Sequence, residues 1–281
     1  MRGRAAACSE KVSRLSDKPY LLFSTPRSGS NLVYDVLEQY FKSARGFIGL
    51  GEYFTHVYQS FWDTGNGLAS SVFPSERVRH VQVAGSYFEA IRRQRLAWLK
   101  KYHGRYFFKL TALQVSGESY PWLIENYNWI LIERRNLFDQ LLSYLISVEL
   151  NRWYGSGGLG VTPGSITARP EHADAFTRMI LEYRRIKAEL QDPAVLVYED
   201  VVAGPIAENI LRLARLDNSA GGRSFRMPPK QNPENKLPLF TNPDEVLKIY
   251  ETSALNELVP LNACLSRPFD GRTLRAPPAP V

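Results

Sequence analysis

Two short stretches of this 281-residue chain combine the residue types that bind phosphate-like anions. The first is Thr25-Pro26-Arg27-Ser28-Gly29-Ser30-Asn31, set between an apolar run, Pro19 to Ser24, and a segment with helical spacing through Leu32, Val36, Leu37 and Tyr40. A helix amino terminus leaves backbone N–H groups unpaired and carries partial positive charge, so small residues there form an anion cradle. Gly29 lets the backbone approach a phosphate, Ser28, Ser30 and Asn31 offer side-chain hydrogen bonds, and Arg27 can grip two oxygens at once. Such a turn suits a 5′-phosphate and its bridging oxygen. It is no Walker A loop, because Ser30 and Asn31 stand where the lysine would follow Gly29. The second stretch is Arg135, followed eight positions later by Ser143. With a helix from about Leu137 to Leu150, Ser143 lies about two turns in, so that a strand-end arginine and a helix hydroxyl can meet on one phosphate. Arg134 takes the place of Arg135 if the strand register moves by one.

The elements that must position these residues follow from periodicity. Strand-like runs occur at Pro19 to Ser24, Tyr106 to Leu110, Asn128 to Ile132 and Ala194 to Tyr198. Helical spacing covers about Val83 to Tyr102, Leu137 to Leu150, a helix opened by Pro170, Pro205 to Leu216, and Asp244 to Leu258. Strands alternating with helices predict an α/β domain whose parallel sheet is covered on both faces. Residues 1–17 read as a flexible leader, 18–266 as one domain, and 267–281 as a Pro/Arg-rich tail.

Composition narrows the classes. No apolar run approaches the ~20 residues of a membrane helix, and the amino terminus lacks the apolar stretch of a secretory signal, so a cytoplasmic protein with no stable membrane insertion is expected. A net charge of +7 suits an anionic partner, yet no block of like charges marks a nucleic-acid footprint. Cys8 and Cys264 fall in segments that look poorly structured and are expected to be free thiols. No His/Cys/Asp cluster has metal-ligand spacing, so no metal is expected.

The Thr-Pro-Arg-Ser-Gly-Ser turn resembles the 5′-phosphosulfate loop of sulfotransferases that use 3′-phosphoadenosine 5′-phosphosulfate (PAPS), nearest the bacterial group that includes trehalose 2-sulfotransferase. Arg135 and Ser143 are similar to the family's 3′-phosphate motif, and Val197-Tyr198-Glu199-Asp200 to its Tyr-Glu-Asp segment, which gives Tyr198 an adenine contact by resemblance. The likeness spans residues 20 to 200 and departs from the pattern at Asn31, where the family places Thr or Ser, and in lacking an Arg-Lys-Gly loop. Lys230, Gln231 and Lys236 are the nearest substitutes for that loop. The resemblance implies a P-loop-like three-layer fold with a central parallel sheet flanked by helices, a PAPS donor, no metal and a small hydroxyl acceptor. Family members include dimers, so a homodimer is among the expected partners.

Sulfuryl transfer needs a cation where charge develops on the leaving oxygen, a role open to Arg27, and a base that accepts the acceptor's proton. Glu52 looks like the glutamate that the trehalose-sulfotransferase group carries in a similar segment. His56 is the second candidate among the four histidines; His80 is a further one, and His103 and His172, near helix termini, read as structural or exposed. Two other classes stay open: a P-loop-type small-molecule kinase, and a non-catalytic binder of anionic nucleotides or sulfated glycans.

Overall fold

The computed structural model describes residues 18–54, 85–115, 119–150, 162–216, 225 and 235–265. Its centre is a five-stranded, all-parallel sheet in the order β2-β3-β1-β4-β5, with β1 Tyr20–Ser24, β2 Ile48–Glu52, β3 Tyr106–Thr111, β4 Asn128–Glu133 and β5 Ala194–Val197. Every residue of β1 is buried, as expected for the middle strand of a sheet packed on both faces.

Side chains alternate across that strand. Tyr20 and Leu22 join one apolar layer with α1 (Ser30–Arg45), whose Val33, Val36, Leu37 and Phe41 form its inner stripe. Leu21 and Phe23 join the opposite layer, against α2 (Gly85–Tyr102) and α3 (Ser119–Asn126). On that side Phe23 stacks on Tyr183 of α5 (Pro170–Glu189), ring centroids 5.0 Å apart. A third cluster packs α4 (Leu137–Glu149) against α5 and three short helices: α8 (Pro243–Glu251), α9 (Ala254–Leu258) and α10 (Leu261–Leu265). The expected α/β sheet with helices on both faces is therefore present. Among the described residues no helix is long and apolar enough to cross a membrane.

Several local readings change. β2 adds to the four expected strands: Ile-Gly-Leu-Gly-Glu has only two apolar side chains, and its place at the sheet edge comes from pairing with β3. β5 stops at Val197, so Tyr198 opens a short helix, α6 (Tyr198–Val202), instead of closing the strand, and α7 (Ile206–Leu213) follows. The single helix expected from Asp244 to Leu258 is broken, because the Ser253 hydroxyl accepts the Leu255 N–H at 3.3 Å and caps a new helix. Cys264 lies buried on α10 with its Sγ 3.6 Å from the Tyr250 hydroxyl, in ordered structure where a loose segment was expected. The leader, the tail beyond 265 and Cys8 lie outside the described residues.

Candidate anion-binding site

β1 delivers the chain into its turn at the carboxyl edge of the sheet, where strands on either side of β1 belong to oppositely directed crossovers. Arg27 and Gly29 both adopt left-handed backbone, φ 62° and 90°. The turn is closed by the Ser28 hydroxyl and N–H donating to the Thr25 carbonyl at 2.8 and 3.4 Å. Gly29 then caps α1, whose first turn carries no acid to compete for an anion. A Cβ on Gly29 would run into the Tyr198 ring, so glycine is needed there both for its φ and for its size.

The turn is bolted to α4. Gln140, fully buried, donates through Nε2 to Thr25 Oγ1 and to the Pro26 carbonyl, each at 2.7 Å, while its Oε1 has no hydrogen-bond partner. One turn further along, Ser143 Oγ accepts from Arg27 Nε at 3.2 Å. The helix is set by Asn136, whose side chain accepts the Asp139 N–H at 2.8 Å. The arginine of the first motif and the serine of the second are thus in direct contact.

The third motif holds the second in place. The Glu199 carboxylate accepts the backbone N–H groups of Arg135 and Asn136 at 3.0 and 3.3 Å, and Asp200 pairs with Arg135 Nη2 at 2.5 Å. Arg134 lies 4.5 Å above the Tyr198 ring, is paired with Asp139 at 3.0 Å, and reaches the Arg27 carbonyl at 3.5 Å. Its buried Nε has no hydrogen bond. Lys236 joins Asp139 from the segment before Leu237, which brings one of the three expected loop residues to this cluster. Of the two arginines proposed for the second anion contact, Arg134 is the one beside the Arg27 turn, and Arg135 is the more exposed, at 43%.

Burial, and after it the neighbouring Arg134, push the Arg27 guanidinium down to about 10. It stays protonated at neutral pH, so two cations are held together at a cost that an anion between them would offset.

On the other flank of β1, Glu52 at the end of β2 pairs with Lys109 of β3 at 2.7 Å, and Lys109 Nζ donates to Asn31 Oδ1 at 2.5 Å. A register shift between Gly49 and Glu52, with Gly51 at φ 60°, sets Glu52 opposite Lys109. The Tyr34 hydroxyl accepts the Gly51 N–H at 2.8 Å and fixes that bulge. Asn31 therefore holds the lysine that holds Glu52, and Glu52 is a strand-end acid instead of a loop residue.

His56, His80, Lys230 and Gln231 lie outside the described residues. His103 begins a 3-10 turn at the amino end of β3, the far end from the turn, and His172 Nδ1 is 2.9 Å from Glu149. Among the described residues no group of three or more His, Cys, Asp or Glu is arranged to hold a metal ion. Lys109 and Gln140 belong to the site without being among the residues expected there. A lysine inside the apolar run Tyr-Phe-Phe-Lys-Leu was the available signal for the first, and nothing local marks the second. No protein-family model matches the chain, and no curated protein matches it.

Proposed function

We propose that this protein is a PAPS-dependent sulfotransferase acting on the hydroxyl of a small acceptor. The observation that carries the reading is the contact of Arg27 with Ser143: two anion-binding motifs 116 residues apart share a hydrogen bond, with Tyr198 and Arg134 beside them. A donor with phosphates at both ends of one adenosine fits two linked cationic pockets better than a single phosphate does. The Arg27 and Arg134 pair fits such an anion, and the close packing of Tyr198 on Gly29 keeps an aromatic ring beside the turn.

PAPS supplies an activated sulfuryl group on a good leaving phosphate. The chain's part is positioning and charge. The turn from Thr25 to Asn31 and the amino end of α1 hold the 5′-phosphosulfate, with Arg27 stabilising charge on the departing phosphate oxygen. Arg135, Ser143 and Arg134 hold the 3′-phosphate, and Tyr198 offers a ring face to the adenine. Glu52 accepts the acceptor's proton as its oxygen bonds to sulfur and the bond from sulfur to the phosphate oxygen breaks, leaving 3′-phosphoadenosine 5′-phosphate (PAP). Lys109 orients that carboxylate. A cytoplasmic location and a homodimer belong to the same proposal.

The test is consumption of radiolabelled PAPS, without divalent metal, over a panel of sugar, lipid and phenolic alcohols. Transfer by the wild type and none by Arg27→Ala is the expected result. Phosphoryl transfer from ATP and magnesium in its place would identify a kinase, and no turnover with any acceptor would identify a binder.

A further inference from the structure

We infer that the end of the sheet opposite the anion site is a docking surface for an anionic phospholipid bilayer. Three chain segments converge there. α1 ends in Lys42 and Arg45, α2 ends in Lys100 and Lys101, and the strands begin just after Lys18 and Arg105. The register Leu21 to Phe108 carries back three residues to set Lys18 level with Arg105, and Ile48 pairs with Tyr106 beside them. α1 and α2 lie on opposite faces of the sheet, so the six cations run across all three layers as one end surface.

Across the β2, β3, β1 and β4 part of this end the sign is nearly uniform: segments 18–20, 42–47, 100–106 and 124–128 contain one acid, Glu125. At the β5 edge, Glu189 and Asp192 are paired with Arg185 and Arg215. From residue 91 to 117 the chain has no Asp or Glu at all. Lys18, Lys42, Lys100, Lys101 and Arg105 are exposed, and Arg45 is half-buried with its guanidinium 5.4 Å from the Tyr20 ring. Lysines in a last helical turn also complement the helix dipole, but that does not account for Lys18 or Arg105, which lie outside both helices.

An aromatic residue selects the occupant. Tyr102, one of the few large apolar side chains exposed among the described residues, at 40%, sits among these cations with Lys101 Nζ 5.1 Å from its ring. The bilayer interface takes both features, cations on its phosphates and an amphipathic ring at the headgroup level, whereas a soluble polyanion uses only the charge. The anion site lies at the other end of the strands, roughly 17–20 Å away for strands of this length. A docked molecule therefore turns that site toward water, and its ligands arrive from solution and not from the membrane. This inference is independent of the sulfotransferase reading.

The experiment is co-sedimentation of the full chain with vesicles of phosphatidylcholine alone or with about one third phosphatidylserine, in about 0.1 M salt. Wild type should pellet with the anionic vesicles and not with the neutral ones. Lys100→Glu, Lys101→Glu and Arg105→Glu together should lower the partition roughly 100-fold, and Tyr102→Ala should lower it severalfold. A melting curve for each variant shows that it is folded. Failure of the wild type to pellet with anionic vesicles, equal pelleting by the folded triple variant, or retention on heparin without vesicle binding would each overturn the inference.

Discussion

The Tyr198 ring occupies the space that a side chain on Gly29 would need, so the third motif of the chain closes directly on the first. Gly29→Ala must strain a left-handed backbone and displace that ring. We expect it to cost about 1–3 kcal/mol of stability and to abolish PAP binding, read by urea denaturation and by a ligand-induced melting shift.

Gln140 ties α4 to the turn through both Thr25 and Pro26. Gln140→Leu leaves two buried acceptors without their donor, a loss of about 1–3 kcal/mol, and frees the turn. PAP affinity should fall in Gln140→Leu, and backbone hydrogen exchange from Arg27 to Gly29 should speed up. Unchanged exchange there would show that the turn holds its own shape.

Arg27 illustrates a conflict between stability and function. Its charge is disfavoured by burial and by Arg134. Arg27→Met should therefore melt higher than the wild type in the absence of ligand, by about 1 kcal/mol, while losing all stabilisation by PAP. Differential scanning calorimetry with and without PAP measures both.

The pH dependence of stability has a defined sign at Glu38. Burial, and then the nearby Asp35, raise its carboxyl above the ordinary glutamate value, against opposing contributions from Tyr34 and Lys42. In the window between the unfolded and the raised folded pKa the native state binds more protons, so this group makes the fold more stable as pH falls. Glu38→Gln removes that contribution. The difference in urea midpoint between wild type and Glu38→Gln should shift in favour of the wild type as pH is lowered from 7 toward 5. A difference that does not change with pH would contradict it.

Glu52→Gln keeps the shape of the β2 end but removes the base. Under the proposed function kcat should drop about 10²–10⁴-fold with little change in PAP affinity, whereas Ser143→Ala should weaken PAP binding.

Much of this arrangement was legible because its signals are local. An apolar run, a turn of small residues and a helical stripe defined β1, the turn and α1, and the same pattern defined β4 and α4 with Ser143 on it. What lay beyond reach depends on pairing between distant segments. Which of Arg134 and Arg135 points at the turn is decided by where β4 ends, at Glu133, and by the grip of Glu199 on the following amides. The Lys109 and Glu52 pair exists because β2 and β3 are neighbours, which no property of Ile-Gly-Leu-Gly-Glu announces. Gln140 looks like any polar residue on a helix until the turn is packed against it. Tyr198 was recognised as a motif residue, yet its contact with Gly29 follows from β5 ending one residue before it.

The central claim is that the Arg27 turn and the start of α4 make one receptor for a nucleotide phosphorylated at both its 3′ and 5′ positions. Isothermal titration of the purified protein with PAP in the presence of a chelator tests it most directly. The account predicts saturable one-to-one binding that disappears in Arg27→Ala and is far weaker for adenosine 5′-phosphate, which lacks the second anion. Equal affinity for the two nucleotides, or binding that survives the loss of Arg27, would contradict it.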